Sequence, residues 1–230
     1  MLRCSLFLIA GLCVTLSGCH DGPLYALKHA NPYFVREWKK DEALGVTDFQ
    51  RRKELELLVR TVPAMPPEER TQWLVHLNKI MANDPSSDMR HLAVRATEAI
   101  QGEAALTLVE EALTDESLKV RMAACDVLGN RPEPQAAELL AKTAGESTNA
   151  DVRQAALRSI ARHRGQLVSD SLKLALADRD PAIRLTAIES LEEVTGEKLG
   201  NDPEVWVAYL EGRQATPDNG SITDRLKDLF

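Results

Sequence analysis

The sequence predicts an all-α fold, a solenoid of stacked helical hairpins, and three observations predict it. An arginine recurs as Arg90, Arg121, Arg153 and Arg184, at separations of 31, 32 and 31 residues, each preceded by an apolar residue and followed three positions later by Ala. Aromatic residues make up only 4% of the chain while Ala and Leu abound, which favours helices that pack through small side chains over a strand-rich sandwich. Six residues before each arginine stands Asp84, Asp115, Ser147 or Asp178, a turn or helix-starting residue, with Pro85 and Pro181 reinforcing two of the breaks. The 230 residues suffice for a sizeable core. With 28 Lys and Arg against 35 Asp and Glu, the formal charge of -7 lacks the basic footprint of a nucleic-acid binder, so no nucleic-acid partner is expected.

The elements follow in chain order. Arg3 precedes a mostly apolar run over residues 5–16, about a dozen residues where a spanning helix needs about 20, which reads as a signal peptide over residues 1–18. The run ends in Leu16-Ser17-Gly18-Cys19, which resembles the bacterial lipobox. The resemblance implies cleavage before Cys19 and a diacylglyceryl group on its sulfur. That covalent lipid is the sole attached group expected, with no cofactor. Several acyl chains on one cysteine give stable anchoring where a single chain is marginal, at about 0.8 kcal/mol per buried methylene. The soluble body is then tethered to a membrane through lipid only. His20 after the cysteine, in place of Asp, implies by analogy with lipoprotein sorting a place in the cell envelope on the outer membrane, facing the periplasm. With Cys4 and Cys13 in the discarded segment and Cys19 acylated, Cys125 stands alone as a small buried hydrophobe, and no disulfide framework is possible.

Residues 19–48 read as the lipid-anchored tether and an N-terminal cap, in which Tyr25, Tyr33, Phe34 and Trp38, with Phe49 just beyond, pack on the first hairpin. Residues 49–62 and 68–82 form a degenerate hairpin around Pro63, Pro66 and Pro67. In the arginine-bearing helices the apolar residue before each Arg, the Ala three after it, and Val94, Cys125, Leu157 or Ile188 four after it paint one helical stripe. Leu128, Ile160 and Leu191 extend it at the seventh position, with Thr97 as the exception. Between these helices lie second patterns over 103–114, 133–144 and 166–177. A single hairpin cannot bury its stripe, but stacked neighbours share a continuous core. Asp202 and Pro203 start a cap helix in which Trp206, Tyr209 and Leu210 close the far end by residue 211. Residues 212–230 are a linker and a short amphipathic helix, with Ile222, Leu226, Leu229 and Phe230 on one side, suited to docking on its own solenoid or on another protein.

The recurring pattern of Asp, five residues, Arg, two residues, Ala and an apolar residue, from Asp84 to about Glu193, resembles HEAT repeats of the short kind also found in phycobilisome lyases. The resemblance implies a right-handed, HEAT-like α-solenoid over residues 49–211. It also implies a structural ladder between adjacent repeats, carried by Asp84, Asp115 and Asp178 with Arg90, Arg121, Arg153 and Arg184. Ser147 interrupts one rung.

Reactive constellations are missing. The histidines His20, His29, His76, His91 and His163 do not sit with Cys or carboxylates at metal-ligand spacing, and there is no glycine-rich phosphate loop or nucleophile elbow. No catalytic, cofactor or metal site is expected, and the chain does not read as an enzyme. What remains is a surface on the second helices. Its polar positions are Glu103, Thr107 and Glu110 on the first, Gln135, Glu138 and Lys142 on the next, and Ser169 and Lys173 on the third. Their somewhat acidic character suits a basic or polar protein. The sequence therefore points to a non-catalytic, lipid-anchored envelope protein that binds or scaffolds other proteins. The alternatives are an enzyme or enzyme-assisting protein of the bilin-lyase-like class, and a purely structural envelope component.

Overall fold

The computed structural model describes residues 45–213, together with residues 32, 35, 36, 39 and 40. The expected signal peptide, Cys19, the cap aromatics Tyr25, Tyr33, Phe34 and Trp38, and the C-terminal helix lie outside the described residues. The chain divides into two units, Met1–Arg51 and Arg52–Phe230. In the first, Thr47 and Gln50 form a capping box: the Gln50 backbone N–H donates to Thr47 Oγ1 at 3.2 Å and the Thr47 N–H to Gln50 Oε1 at 3.1 Å. Phe49, the one cap aromatic among the described residues, is 45% exposed.

Over residues 45–213, ten α-helices and two short 3₁₀ turns account for the regular structure, and none of the described residues is in a strand. The helices are α1 (Asp48–Thr61), α2 (Pro67–Asn83), α3 (Ser87–Ala96), α4 (Glu103–Ala112), α5 (Leu118–Gly129), α6 (Pro134–Glu146), α7 (Ala150–Ile160), α8 (Gln166–Leu176), α9 (Pro181–Thr195) and α10 (Pro203–Leu210). Local chemistry sets several boundaries. Proline occupies the first turn of α2, α6, α9 and α10, where its missing N–H costs no helical bond. Asn149, Asp180 and Asp202 accept from backbone N–H groups as side-chain N-caps. Gly196 ends α9 in the left-handed region at φ 77°, which a side chain resists.

Within the second unit the helices form two layers. The arginine-bearing helices α3, α5, α7 and α9 pack each against the next; in the other layer α2 packs on α4, and α6, α8 and α10 follow in a row. Helices α3, α7 and α9 each pack far more on the helix before them than on the one after, while α5 packs about equally on α4 and α6, so the repeat period together with these contacts gives the hairpins α2/α3, α4/α5, α6/α7 and α8/α9. The helix expected over 68–82 is thus the first arm of the hairpin completed by α3, and its principal partner is not α1.

The recurring alanines explain the close approach of the first layer. Ala93, Ala124, Ala156 and Ala187 are all 0% exposed, so the neighbouring helices close completely over these small side chains. They belong to one continuous hydrophobic cluster that runs through the second unit from Leu55 to Trp206. Thr97, the exception in the apolar stripe, is also fully buried; its hydroxyl donates to the Val94 carbonyl at 2.7 Å, so burial leaves no unmet polar group. At the far end Trp206 is buried and donates Nε1–H to the Gly200 carbonyl at 2.8 Å.

The Asp and Arg positions form the turns and cross-link them. Asp84, Asp115 and Asp178 each accept the N–H two residues on, and Ser147 does the same with its hydroxyl. Arg90, Arg121 and Arg184 each donate Nη1–H to the carbonyl of the aspartate in their own turn, at 2.7 to 2.8 Å. Arg90 also reaches the next hairpin, where Nε and Nη2 grip both carboxylate oxygens of Asp115 at 2.7 and 3.0 Å. Arg153 likewise reaches Asp178. Arg121, facing Ser147 in the following turn, spends its bonds on the carbonyls of Asp115 and Glu116. Burial alone would raise the Asp115 carboxyl, but the Arg90 hydrogen bonds and the Ser117 N–H outweigh it and hold the group below the usual aspartate range. Asp178 is held low chiefly by its hydrogen bond from Arg153.

Candidate functional site

Two grooves cross the repeats, one in each layer. The first lies between α4 and α6, which pack little on one another although α5 contacts both. It has a volume of about 660 Å³, a floor of Leu106 and Leu139, and walls bearing Glu103, Thr107, Glu110, Gln135, Glu138 and Lys142. Six of the eight positions expected from the sequence as a partner surface therefore meet in one groove. Ser169 and Lys173 do not join them; both lie on α8, where Lys173 pairs with Glu211 at 2.7 Å. Glu133 adds a further carboxylate at the edge and binds Arg131 Nη2 at 2.7 Å. Burial would raise the Glu133 carboxyl, but Arg131 and two backbone N–H groups, its own and that of Gly102, overcome this and lower it. The groove is acidic, with Lys142 as its one cationic wall residue.

The second groove, of about 800 Å³, crosses α3, α5 and α7 on the arginine-bearing layer. Leu118, Met122, Ala123 and Ala155 give it an apolar floor, and Arg95, Lys119, Arg158 and Arg162 a cationic rim in which Asp126 is the one carboxylate. Asp126 is shared: Arg162 reaches it at 2.9 Å and Arg95 reaches it from the preceding hairpin. Burial, followed by the charges of Lys119 and Arg95, pushes the His91 imidazole below its ordinary value despite Asp88 nearby. Beside this groove α5 and α7 approach closely at Gly129, where an added Cβ would stand 3.0 Å from both the Cβ and the carbonyl oxygen of Ser159.

The profile of the HEAT repeats family matches residues 74–161. These residues are HEAT-like repeats. The matched stretch includes α3 to α7 whole, so the helices that wall both grooves belong to it. HEAT repeats commonly serve as protein-interaction modules, and the HEAT-like helices here present their charges across successive units. No curated protein matches the chain.

Two residues that interlock the HEAT-like repeats went unread in the sequence. Arg131, 3% exposed, donates to the Thr97 and Ile100 carbonyls of the preceding repeat at 3.3 and 3.0 Å. His163 sits at the same repeat position, ten residues after its arginine, and its Nε2 meets the Leu128 carbonyl at 3.0 Å, a bond that requires the proton on that nitrogen. The shared offset was the available signal. The basic groove had a signal too: five residues after each arginine stand Arg95, Asp126, Arg158 and Glu189, alternating in sign.

Among the described residues no group of His, Cys, Asp and Glu is placed to hold a metal ion, and no helix is long and apolar enough to cross a membrane. Cys125 is fully buried and its thiol is pushed up to about 12 by that burial, so it is protonated and out of reach of a substrate.

Proposed function

We propose that the protein is a non-catalytic, lipid-anchored envelope protein whose HEAT-like stack binds a protein partner and holds it near a membrane. The observation that carries this reading is the acidic groove between α4 and α6, where side chains from two successive repeats face one cleft with walls set by buried packing. Glu103, Glu110 and Glu138 are exposed there, and a basic segment with an apolar residue for Leu106 and Leu139 suits the lining. Rim carboxylates of this kind steer and orient a partner more than they add affinity. The anchor rests on the likeness of residues 16–19 to a lipobox and places the covalent lipid on Cys19.

The test is photo-crosslinking in living cells from a reactive residue at position 110 or 138. A discrete adduct is expected, lost when Glu103 is changed to Lys together with whichever of Glu110 and Glu138 does not carry the reactive residue. A protein that is present and folded but gives no adduct from either position does not bind through this cleft. In parallel, Cys19→Ser moves the protein from the membrane to the soluble fraction without altering its melting; retention at the membrane removes the anchor.

A further inference from the structure

We infer that the groove across α3, α5 and α7 is a second binding site, which takes an acidic amphipathic helix of a partner protein. The chain carries a formal charge of -7, so an anionic partner is repelled by most of its surface; here four cations gather around an apolar floor. Their charge is compensated in part. Arg95 pairs with Glu98 at 3.2 Å and shares Asp126 with Arg162, Lys119 is paired with the half-buried Asp88, and among the described residues no carboxylate lies within ion-pair distance of Arg158, whose one side-chain hydrogen bond is a long 3.5 Å contact to Gln154.

The layout selects a polypeptide over a small anion. Arg95 and Arg162 meet at Asp126 while Lys119 and Arg158 have other partners, so the four cations come from three successive repeats, whose helix axes in packed layers lie about 8–10 Å apart. Leu118, Met122, Ala123 and Ala155 lie between them. An inorganic anion leaves that floor uncovered. A helix laid across the layer covers it with one apolar stripe, and carboxylates seven residues apart, about 10 Å at 1.5 Å per residue, fall in step with cations on neighbouring repeats. The site is separate from the acidic groove, so it stands whether or not that groove binds.

The probe is a fluorescein-labelled peptide of Glu and Leu in heptad spacing, titrated with the full chain and read by fluorescence anisotropy. Binding that weakens with added salt is expected, and the combination of Arg158→Glu with Lys119→Ala weakens it about tenfold or more. Both side chains are exposed, so the melting temperature of that variant stays close to the original. The acidic-groove variant, Glu110→Lys with Glu138→Lys, retains peptide binding, which separates this proposal from the function proposed above. No binding, equal binding by the rim variant, or equal binding of a Lys-for-Glu peptide overturns the inference. So does charge-dependent enrichment on phosphatidylglycerol over phosphatidylcholine vesicles without peptide binding, which assigns the groove to a lipid surface. Self-association abolished by the rim variant, again without peptide binding, assigns it to a second copy and overturns the inference as well.

Discussion

The two layers of the second unit are built from the same repeats yet behave differently. In the arginine-bearing layer every helix packs on the next, through alanines that are 0% exposed, and the ladder side chains tie its turns together. In the other layer the row is interrupted between α4 and α6, and a charged cleft opens there. The lesson is that the repeat motif specifies only one layer. Its Asp, Arg and Ala all lie on the turns and helices of the first layer, so the second is free to vary in spacing and surface charge.

The largest test of this contrast exchanges the same side chain into both layers. Ala156→Asp buries an unpaired carboxylate at a crossing with no room, which costs several kcal/mol, about 4, and lowers the melting temperature by about 10 °C or removes cooperative unfolding. Gln135→Asp, exposed on α6, leaves melting within about 1 °C. Similar melting of both variants refutes the layer assignment.

Next in size is removal of one ladder partner. Asp115→Ala removes the two-pronged partner of Arg90, whose side chain is 7% exposed, and leaves it the Asp84 carbonyl and the exposed Glu116, at a cost of about 2 kcal/mol. Asp178→Ala costs less, about 1 kcal/mol, because Arg153 and Asp178 are 22% and 17% exposed and Arg153 keeps its bond to the Ala144 carbonyl. Urea midpoints order the two variants; the reverse order contradicts the difference in burial.

Acid sharpens the same point. Both carboxyls are depressed in the folded state from the ordinary aspartate value of 3.8. Their contribution is therefore fully present above that value and is lost as pH falls through the folded-state values below it, since the unfolded chain takes up protons first. The urea midpoint should fall with pH in this window, and less steeply in the Asp115→Ala variant. An equally steep fall in that variant shows that other groups carry the acid dependence.

The smallest expected effect is a gain. Ser147→Asp offers Arg121 a carboxylate in the following turn and keeps the turn acceptor that Ser147 now provides, worth about 0.5–1 kcal/mol at this partly exposed place. An unchanged or lowered midpoint means that Arg121 cannot leave its carbonyl partners.

The helices and their buried stripe were legible because periodicity and burial are the same statement: Met89, Val120, Val152 and Ile183 recur at one phase and are all buried. The exposure of Glu103, Thr107, Glu110, Gln135, Glu138 and Lys142 on α4 and α6 was legible for the complementary reason, as polar residues on the opposite face. What escaped was set by neighbours distant in the chain. Pairing of α2 with α3 depends on how layers settle, and so does the departure of α6 from α4. Arg131 reads as a surface charge until the carbonyls of the preceding repeat are seen to surround it. Asp126 likewise gains its meaning only from Arg95 and Arg162, which lie in two other hairpins.

The absent rung at Ser147 falls at the same junction as the parted helices α4 and α6, while Gly129 keeps α5 tight against Ser159. One side of that junction is thus a spine and the other a set of loose pages. The junction that lacks the carboxylate rung is also the one where the second layer parts and the acidic cleft opens.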